Sequence, residues 1–501
     1  MIVETALMKP TDSLPEIHQV YNGLDSCLTL EIFNALSLHH FDPIYSFERA
    51  MQAPLFEAMM RGWKIDRAAA IGEIQRLTRL LDRLDINLQK MAEAFWDNTC
   101  KDKSTGEIKS LNAASPVQLK NFLYEHLHLP VQYKVEKGIR KPSTDRDALE
   151  NLDFYLFARP ILNTILLMRD LTKQREVFQT DIDKDGRMRT SFNIAGTKTG
   201  RLSSSSSSED TGRNLQNIDE TLRHVFTTDP GYILCGIDLE QAESREVGWL
   251  HGILFDDWRY LDAIYSGDIH TQVARYAWPD LPWTGNIKED KALAEMPFYN
   301  GQSRRFLSKK LGHGSNYYGQ PPTLAKHAKI PLPICQDFHR SYFGAFPAFP
   351  QWHEWVIEQL ATTQSLTTPW GRTRHFFGRP DDASTHREAI AYSPQSSTAD
   401  RMNLGMWRVW KYLPQVKLLA QVHDAIYALI PDDENKITIA KQMLSLIDIP
   451  MRHIQPNGEI RELIVPGEMK LGYNWGSFAS EEDVTAGRAF RINLEGLKKV
   501  K

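Results

Sequence analysis

Apolar residues follow two different periods along this chain. From about residue 46 to 195 they recur at helical spacing, as in MQAPLFEAMMRGWKID and AAIGEIQRLTRLLDRLDINLQKMAEAF, which predicts long amphipathic helices. The polar, turn-rich stretch DNTCKDKSTGEIKSLNAASP predicts a loop between two antiparallel helices. SPVQLKNFLYEHL then predicts a further helix, with Ser115 as its cap and Pro116 at its first position. Residues 1 to about 45 hold a short helical piece around YNGLDSCLTLEIFNAL. Two later segments break the helical period: GYILCGIDLEQAESREVGWL and LLAQVHDAIYALI contain short unbroken apolar runs that read as buried strands. Helices mixed with such strands predict an α/β (α+β) chain.

Each apolar run carries one aspartate where it ends or turns, Asp238 in the first and Asp424 in the second. A carboxylate buried beside Ile237 or Ala425 is costly unless it is paired or bound to a metal. Two of them on neighbouring strands repel unless a divalent cation lies between them, and this points to a magnesium site for phosphoryl transfer.

A second cluster lies in RRFLSKKLGHGSNYYG, where Arg305, Lys309, His313 and Tyr317 recur every four residues and so share one stripe of a helix. Cations one turn apart repel unless an anion lies against them, and a triphosphate would satisfy both; the two rings further along offer flat faces to a base. Gly312 and Gly314 imply either close approach of another group or a break in the helix. The six consecutive serines 203–208 have nothing apolar to bury, and they predict a flexible loop between TKTGRL and GRNLQNI.

Composition narrows the picture by exclusion. The chain has 501 residues, too many for one compact core, with 42% hydrophobic and 24% charged residues, an ordinary balance for a soluble protein. No run approaches about 18 apolar residues and MIVETALMKPTD has no apolar signal region, so a cytoplasmic protein is expected. Four scattered cysteines without CxxC spacing argue against a zinc knuckle and a disulfide scaffold. The net charge of −4 is uninformative about nucleic acid, because a binding groove needs only a local stripe. Lys101, Lys103, Lys109, Lys120, Lys134, Lys137, Arg140 and Lys141 make one helical stretch locally cationic.

The ordered set TGRLSS, NLQN, DLEQAESR, the Arg-Lys-His-Tyr helix, REAIAYSPQSSTAD and QVHDA resembles the family A DNA polymerases, the bacterial polymerase I type, and most closely their phage-encoded branch. The match runs from about residue 18 to GEMKLGYNWG. It implies a right-hand polymerase with a helical thumb over 46–198, an antiparallel-sheet palm over 199–260 and 380–501, and helical fingers over 261–379, after a remnant of an exonuclease domain over 1–45. The implied activity is DNA-directed DNA synthesis, adding deoxynucleoside monophosphates from their triphosphates to a primer on a template. Two magnesium ions, for which Mn2+ substitutes, would be held by Asp238, Asp424 and the Leu239 carbonyl. By the same resemblance Gln241, His270, Arg305, Lys309, His313 and Tyr317 contact the incoming nucleotide. Glu243 would exclude a ribose 2′-hydroxyl by overpacking. Arg201, Asn214, Gln216, Arg387, Gln395 and His423 fall where the family touches the primer-template duplex, testing base-pair shape from the minor groove. If the chain is phage-encoded, its place is the host cytoplasm.

The sequence departs from the family's pattern at several points. Ala425 stands where glutamate is usual, Glu240 replaces a small residue, and His313 stands where phenylalanine or tyrosine is common. Tyr318 follows Tyr317 where glycine is expected, so a register one residue on would make Lys310, Gly314 and Tyr318 the functional set; the first register is preferred because it supplies both the arginine and the ring. Tyr21 and Asp25 in YNGLD resemble the third motif of a proofreading 3′-5′ exonuclease, whose first two motifs find no room upstream. Glu4 and Thr5 in IVET resemble the first motif only by accident. Either the exonuclease is lost or a separate chain supplies it. A single-subunit RNA polymerase and a non-catalytic DNA-binding relic stand as alternatives.

Overall fold

The computed structural model describes residues 14–36, 42–93, 95–96, 110–136, 138–179, 182–207 and 211–500. Glu4, Thr5, Lys101, Lys103, Lys109, Lys137 and Ser208 lie outside the described residues. At the centre is a five-stranded antiparallel sheet in the order Lys417–Val422, Ala425–Pro431, Tyr232–Leu239, Gly467–Gly472 and Lys498–Lys499. Ile233 to Ile237 are buried at every position, because both faces of the strand are covered. Gly236 is required there: the ring of Tyr427, its partner in register, crosses it, and a Cβ at 236 would lie 2.9 Å from that ring.

Helices Ala383–Tyr412 and Lys436–Ile447 pack against this sheet, and so does Trp63, whose ring lies 4.6 Å from Trp475 and 6.0 Å from Tyr427. This central core takes in Met51, Leu55 and Leu77 together with Ile233 and Ile426, so it runs across the expected limit between thumb and palm at 198/199. A second core joins Leu307, Leu311, Tyr342, Phe349 and Trp352 with Val247 and Ile390, again across the expected limits. The third runs from Leu88 to Ile165. Arg61, at the end of helix Pro43–Arg61, donates to the Leu418 carbonyl on one rim of the sheet at 2.5 Å.

Several expectations need correction. Helix Arg67–Ala92 packs along Arg159–Val177, not along the helix that follows its loop. Ser115 does cap that later helix, which is α-helical only over Pro116–Lys120 and widens to a π-helix over Asn121–His126. The serine run is not a free loop: Ser203–Ser205 pairs with Ser191–Asn193 as a strand. Gly312 and Gly314 do not break the helix Arg304–Asn316; a Cβ at 314 would lie 2.4 Å from Leu324, so close approach of a neighbouring helix explains that glycine. Of the cationic stretch, Lys134, Arg140 and Lys141 sit on an exposed hairpin, Tyr133–Glu136 with Ile139–Pro142. No helix among the described residues is long and apolar enough to cross a membrane.

Candidate active site

Asp238 ends the central strand and Asp424 follows His423 in the turn of the neighbouring hairpin. Register places Ala425 directly opposite Asp238, and the Leu239 N–H donates to the Asp424 carbonyl at 2.9 Å, so the two aspartates are tied through backbone. The expected burial of Asp238 is wrong: it is exposed, the one open position in an otherwise covered strand, and Asp424 is half-buried. Desolvation still raises both carboxyls above their ordinary values. At Asp424 the charges of Glu243 and Asp238 add to this against Arg201; at Asp238 those of Glu468 and Glu240 do so against Lys470 and His423.

Two hard oxygen donors on adjacent strands, with too little positive charge around them to hold their carboxyls at ordinary values, fit a hard divalent cation. No group of three His, Cys, Asp or Glu side chains assembles as a metal cage among the described residues. Glu468, opposite Asp238 on the other flanking strand, is a third carboxylate that the sequence reading missed. It is engaged by Lys470 at 3.3 Å and Lys499 at 3.1 Å. Its only signal is a place in the short strand GEMKLG, and register alone sets it beside Asp238.

After Asp238 the chain turns into helix Ala242–Phe255 through Gln241, exposed and left-handed at φ +54°. Glu243, in the first turn, is held at both oxygens: Arg201 pairs with Oε1, and the Tyr317 hydroxyl donates to Oε2 at 2.5 Å. The Arg201 guanidinium also lies 4.0 Å from the Asp424 carboxylate. Burial, and then Glu243, push the Tyr317 hydroxyl well above its ordinary value, so it stays a donor.

The stripe expected on helix Arg304–Asn316 faces helix Ile269–Ala277. His270 is pushed down to about 4, chiefly by desolvation and then by Arg305, Lys309 and His313 against Asp268. The rings of His313 and Tyr317 are 5.0 Å apart. Lys310 instead donates to the His327 carbonyl at 2.6 Å, and Tyr318 turns left-handed at φ +65° with its ring against His353. The geometry therefore keeps Arg305, Lys309, His313 and Tyr317 together and turns Lys310 and Tyr318 away.

Asp268 is a further residue that sequence reasoning missed. It caps helix Ile269–Ala277 through the His270 N–H, and its Oδ2 accepts from Thr271 at 2.9 Å and from Arg305 Nε at 2.5 Å. A capping aspartate directly before IHTQVA was the available signal.

The remaining residues expected at the duplex lie in segments beside the central sheet or on helix Ala383–Tyr412. The Ser204 hydroxyl lies 2.5 Å from Asn214 Oδ1 and 3.2 Å from Gln216 Oε1. Gln216 Nε2 donates to the Leu202 and Gln421 carbonyls, both at 3.1 Å. His423 is exposed in the hairpin turn with φ +53°. Arg387 is exposed early in helix Ala383–Tyr412, and Gln395 is half-buried about two turns further on.

An antiparallel sheet thus bears the paired aspartates, and Glu243 with Tyr317 links it to the helix that carries Arg305 and Lys309. The polymerase domain of Pol1 from M. smegmatis, solved in complex with DNA primer-template and dNTP, has the same fold: TM-score 0.68 and 22% identity, over 85% of this chain and 70% of that one. Residues 78–477 match the model of DNA polymerase family A, and the chain belongs to that family. It is 30% identical over 354 residues to the thermostable DNA polymerase I of Thermus thermophilus, covering 66% of this chain and 39% of that protein. To DNA polymerase I of Treponema pallidum it is 29% identical over 481 residues, covering 91% of this chain and 43% of that one. The chain thus spans less than half the length of these relatives.

Proposed function

We propose that the chain is a DNA-directed DNA polymerase that extends a primer on a template from deoxynucleoside triphosphates. The observation that carries the reading is the backbone-linked pair Asp238 and Asp424, set beside Glu243, which the Tyr317 hydroxyl ties to the end of the helix that bears Arg305 and Lys309. Asp238, Asp424 and the Leu239 carbonyl would hold magnesium, or manganese in its place. Bound there, two such ions supply activation of the primer hydroxyl and charge stabilisation at the leaving pyrophosphate. Arg305, oriented by Asp268, binds phosphate in fork geometry and Lys309 adds a point charge. His270, neutral at pH 7, contributes a hydrogen bond and no charge. His313 and Tyr317 offer ring faces to the base, and Gln241 lines the nucleotide's approach. Glu243, pinned by Arg201 and Tyr317, fills the space of a 2′-hydroxyl and favours deoxyribose over the ribonucleotide alternative.

The division into thumb, palm and fingers over 46–198, 199–260 with 380–501, and 261–379 is part of this proposal, as is action in the cytoplasm. Arg201, Asn214, Gln216, Arg387, Gln395 and His423 then face the duplex, whose binding weakens with salt as phosphate contacts release counterions. Tyr21 and Asp25 lie about one turn apart on helix Leu14–Ala35, and their single carboxylate is too few for a metal pair. Either proofreading is lost or a separate 3′-5′ exonuclease chain supplies it; recovery of the native protein with no nuclease attached speaks against a separate chain.

The test is extension of an end-labelled primer-template with magnesium, offering deoxynucleotides or ribonucleotides, beside the Asp424→Asn protein. Extension with deoxynucleotides that is lost in the variant supports the reading. Preference for ribonucleotides would make the chain an RNA polymerase, and no extension by the unaltered protein would make it a DNA-binding relic.

A further inference from the structure

Helix Arg304–Asn316 ends in a buried polar junction to which no role has yet been given. Asn316 is 3% exposed. Its Oδ1 accepts from the Tyr342 hydroxyl at 2.7 Å, its Nδ2 donates to the Tyr260 oxygen at 3.3 Å, and its carbonyl accepts from His353 Nε2 at 2.9 Å. That carbonyl is among the last of the helix, which have no partner within it, and a buried histidine supplies one. The three partners come from three helices, Arg259–Tyr265, Leu332–Ala345 and Ala348–Thr362, so the junction fixes the helix end against the whole core around it.

The next residue is Tyr317, whose hydroxyl holds Glu243, and the one after is left-handed Tyr318, whose ring meets His353 edge-on at 5.3 Å. Tyr317 is thus held at its hydroxyl by Glu243 and at its backbone by Asn316. We infer that Asn316 is a positioning residue for sugar selection: its junction with Tyr260, Tyr342 and His353 sets where Tyr317 holds Glu243. The inference rests on the polymerase reading and on Glu243 as the group that meets the sugar. It adds a residue that touches neither nucleotide nor metal. A plain structural role predicts that losing Asn316 lowers stability alone. A positioning role predicts that selection between sugars changes even where stability is restored.

Asn316→Leu keeps the size and removes both side-chain hydrogen bonds. Asn316→Leu with Tyr342→Phe also removes one of the two tyrosine hydroxyls that lose their Asn316 partner, which brings stability back toward the unaltered protein. Tyr342→Phe alone serves if the first variant does not fold. The readouts are the ratio of kcat/KM for a deoxynucleotide to that for the matching ribonucleotide, and the melting temperature. We expect the ratio to fall on the order of tenfold in Asn316→Leu, about the factor one buried hydrogen bond supplies, and to stay low in the double variant while its melting temperature recovers. A smaller fall in the same direction is expected for Tyr342→Phe alone. A ratio that keeps its unaltered value in these variants, or that returns together with the melting temperature, overturns the inference. If the unaltered protein extends primers but accepts both sugars equally, the role of Glu243 fails first, and if it extends nothing the polymerase reading fails.

Discussion

Replacing Arg401 by methionine should destabilise the chain by an amount that depends on pH. Arg401, on helix Ala383–Tyr412, donates from Nε to Glu246 on helix Ala242–Phe255 at 3.0 Å, and both side chains are 0% exposed. Its Nη1 donates to the Ile449 carbonyl, and the guanidinium lies 5.3 Å from the Trp370 ring. The other Glu246 oxygen has no hydrogen-bond partner, so that carboxylate rests on Arg401. Burial pushes its carboxyl above the ordinary 4.5 and Arg401 opposes this. Without the arginine, Glu246 escapes an unpaired buried charge by taking a proton. At pH 7 that costs about 1.4 kcal/mol for each of roughly 2.5 pH units, or about 3.5 kcal/mol. The stranded Ile449 carbonyl adds about 1 kcal/mol, giving a loss in the range of about 3–5 kcal/mol known for broken buried pairs. At pH 5 the proton costs only about 0.7 kcal/mol, so about 3 kcal/mol of the penalty should vanish. The assay is urea unfolding of the unaltered protein and Arg401→Met side by side at pH 7 and pH 5, followed by tryptophan fluorescence. Glu246→Leu with Arg401→Met should recover most of the stability at both values. A penalty of equal size at pH 5 and 7 would refute the reasoning, because it would mean that Glu246 never needed the arginine's charge.

Other perturbations follow the same physics. His251 is pushed down to about 3 and His353 to about 4 by burial, from an ordinary 6.5. Their folded-state values lie below the unfolded one, so the stability they contribute is complete above pH 6.5 and drains as pH falls toward 4 and 3, each at about 1.4 kcal/mol per unit. His251→Phe should therefore lose less stability than the unaltered protein between pH 7 and 5, by about 2 kcal/mol, and equal slopes in urea titrations would contradict this. Asp268→Asn weakens the charge-assisted bond that orients Arg305 and should raise KM for nucleotide about tenfold in steady-state primer extension; an unchanged KM would show that Arg305 needs no such support. Ser204→Ala removes the hydroxyl between Asn214 and Gln216 and should weaken duplex binding without altering KM for nucleotide, as read by a fluorescence anisotropy titration against a primer-template.

What could be seen in the sequence was whatever periodicity or charge spacing encodes. The central strand stood out because both faces are buried, and the Arg305 stripe because four-residue spacing has one geometric meaning on a helix. Burial of Asp238 was misjudged because the surrounding run says how the strand is covered but not where its cover ends. Glu468 was invisible because only strand register makes it the neighbour of Asp238. Ser203–Ser205 carries a loop-like sequence because its strand rests on backbone pairing, and side-chain hydropathy carries no trace of that. Asn316 was hidden for a similar reason: its three partners come from residues 260, 342 and 353, and nothing local to GSNYYG reports them.

The central sheet also bears on how the molecule keeps to itself in a crowded solution. A stack of buried apolar strands is a template for further strands wherever its rim is bare, and rims are where proteins recruit unwanted copies. Here one rim is covered by helix Pro43–Arg61, whose Arg61 occupies the Leu418 carbonyl. The other is finished by Lys498 and Lys499, two exposed charges on a strand of two residues, too short and too cationic to seat a newcomer. Lys498 and Lys499 thereby act as a terminator for the sheet, and a protein without that strand would present Gly467–Gly472 as a sticky edge.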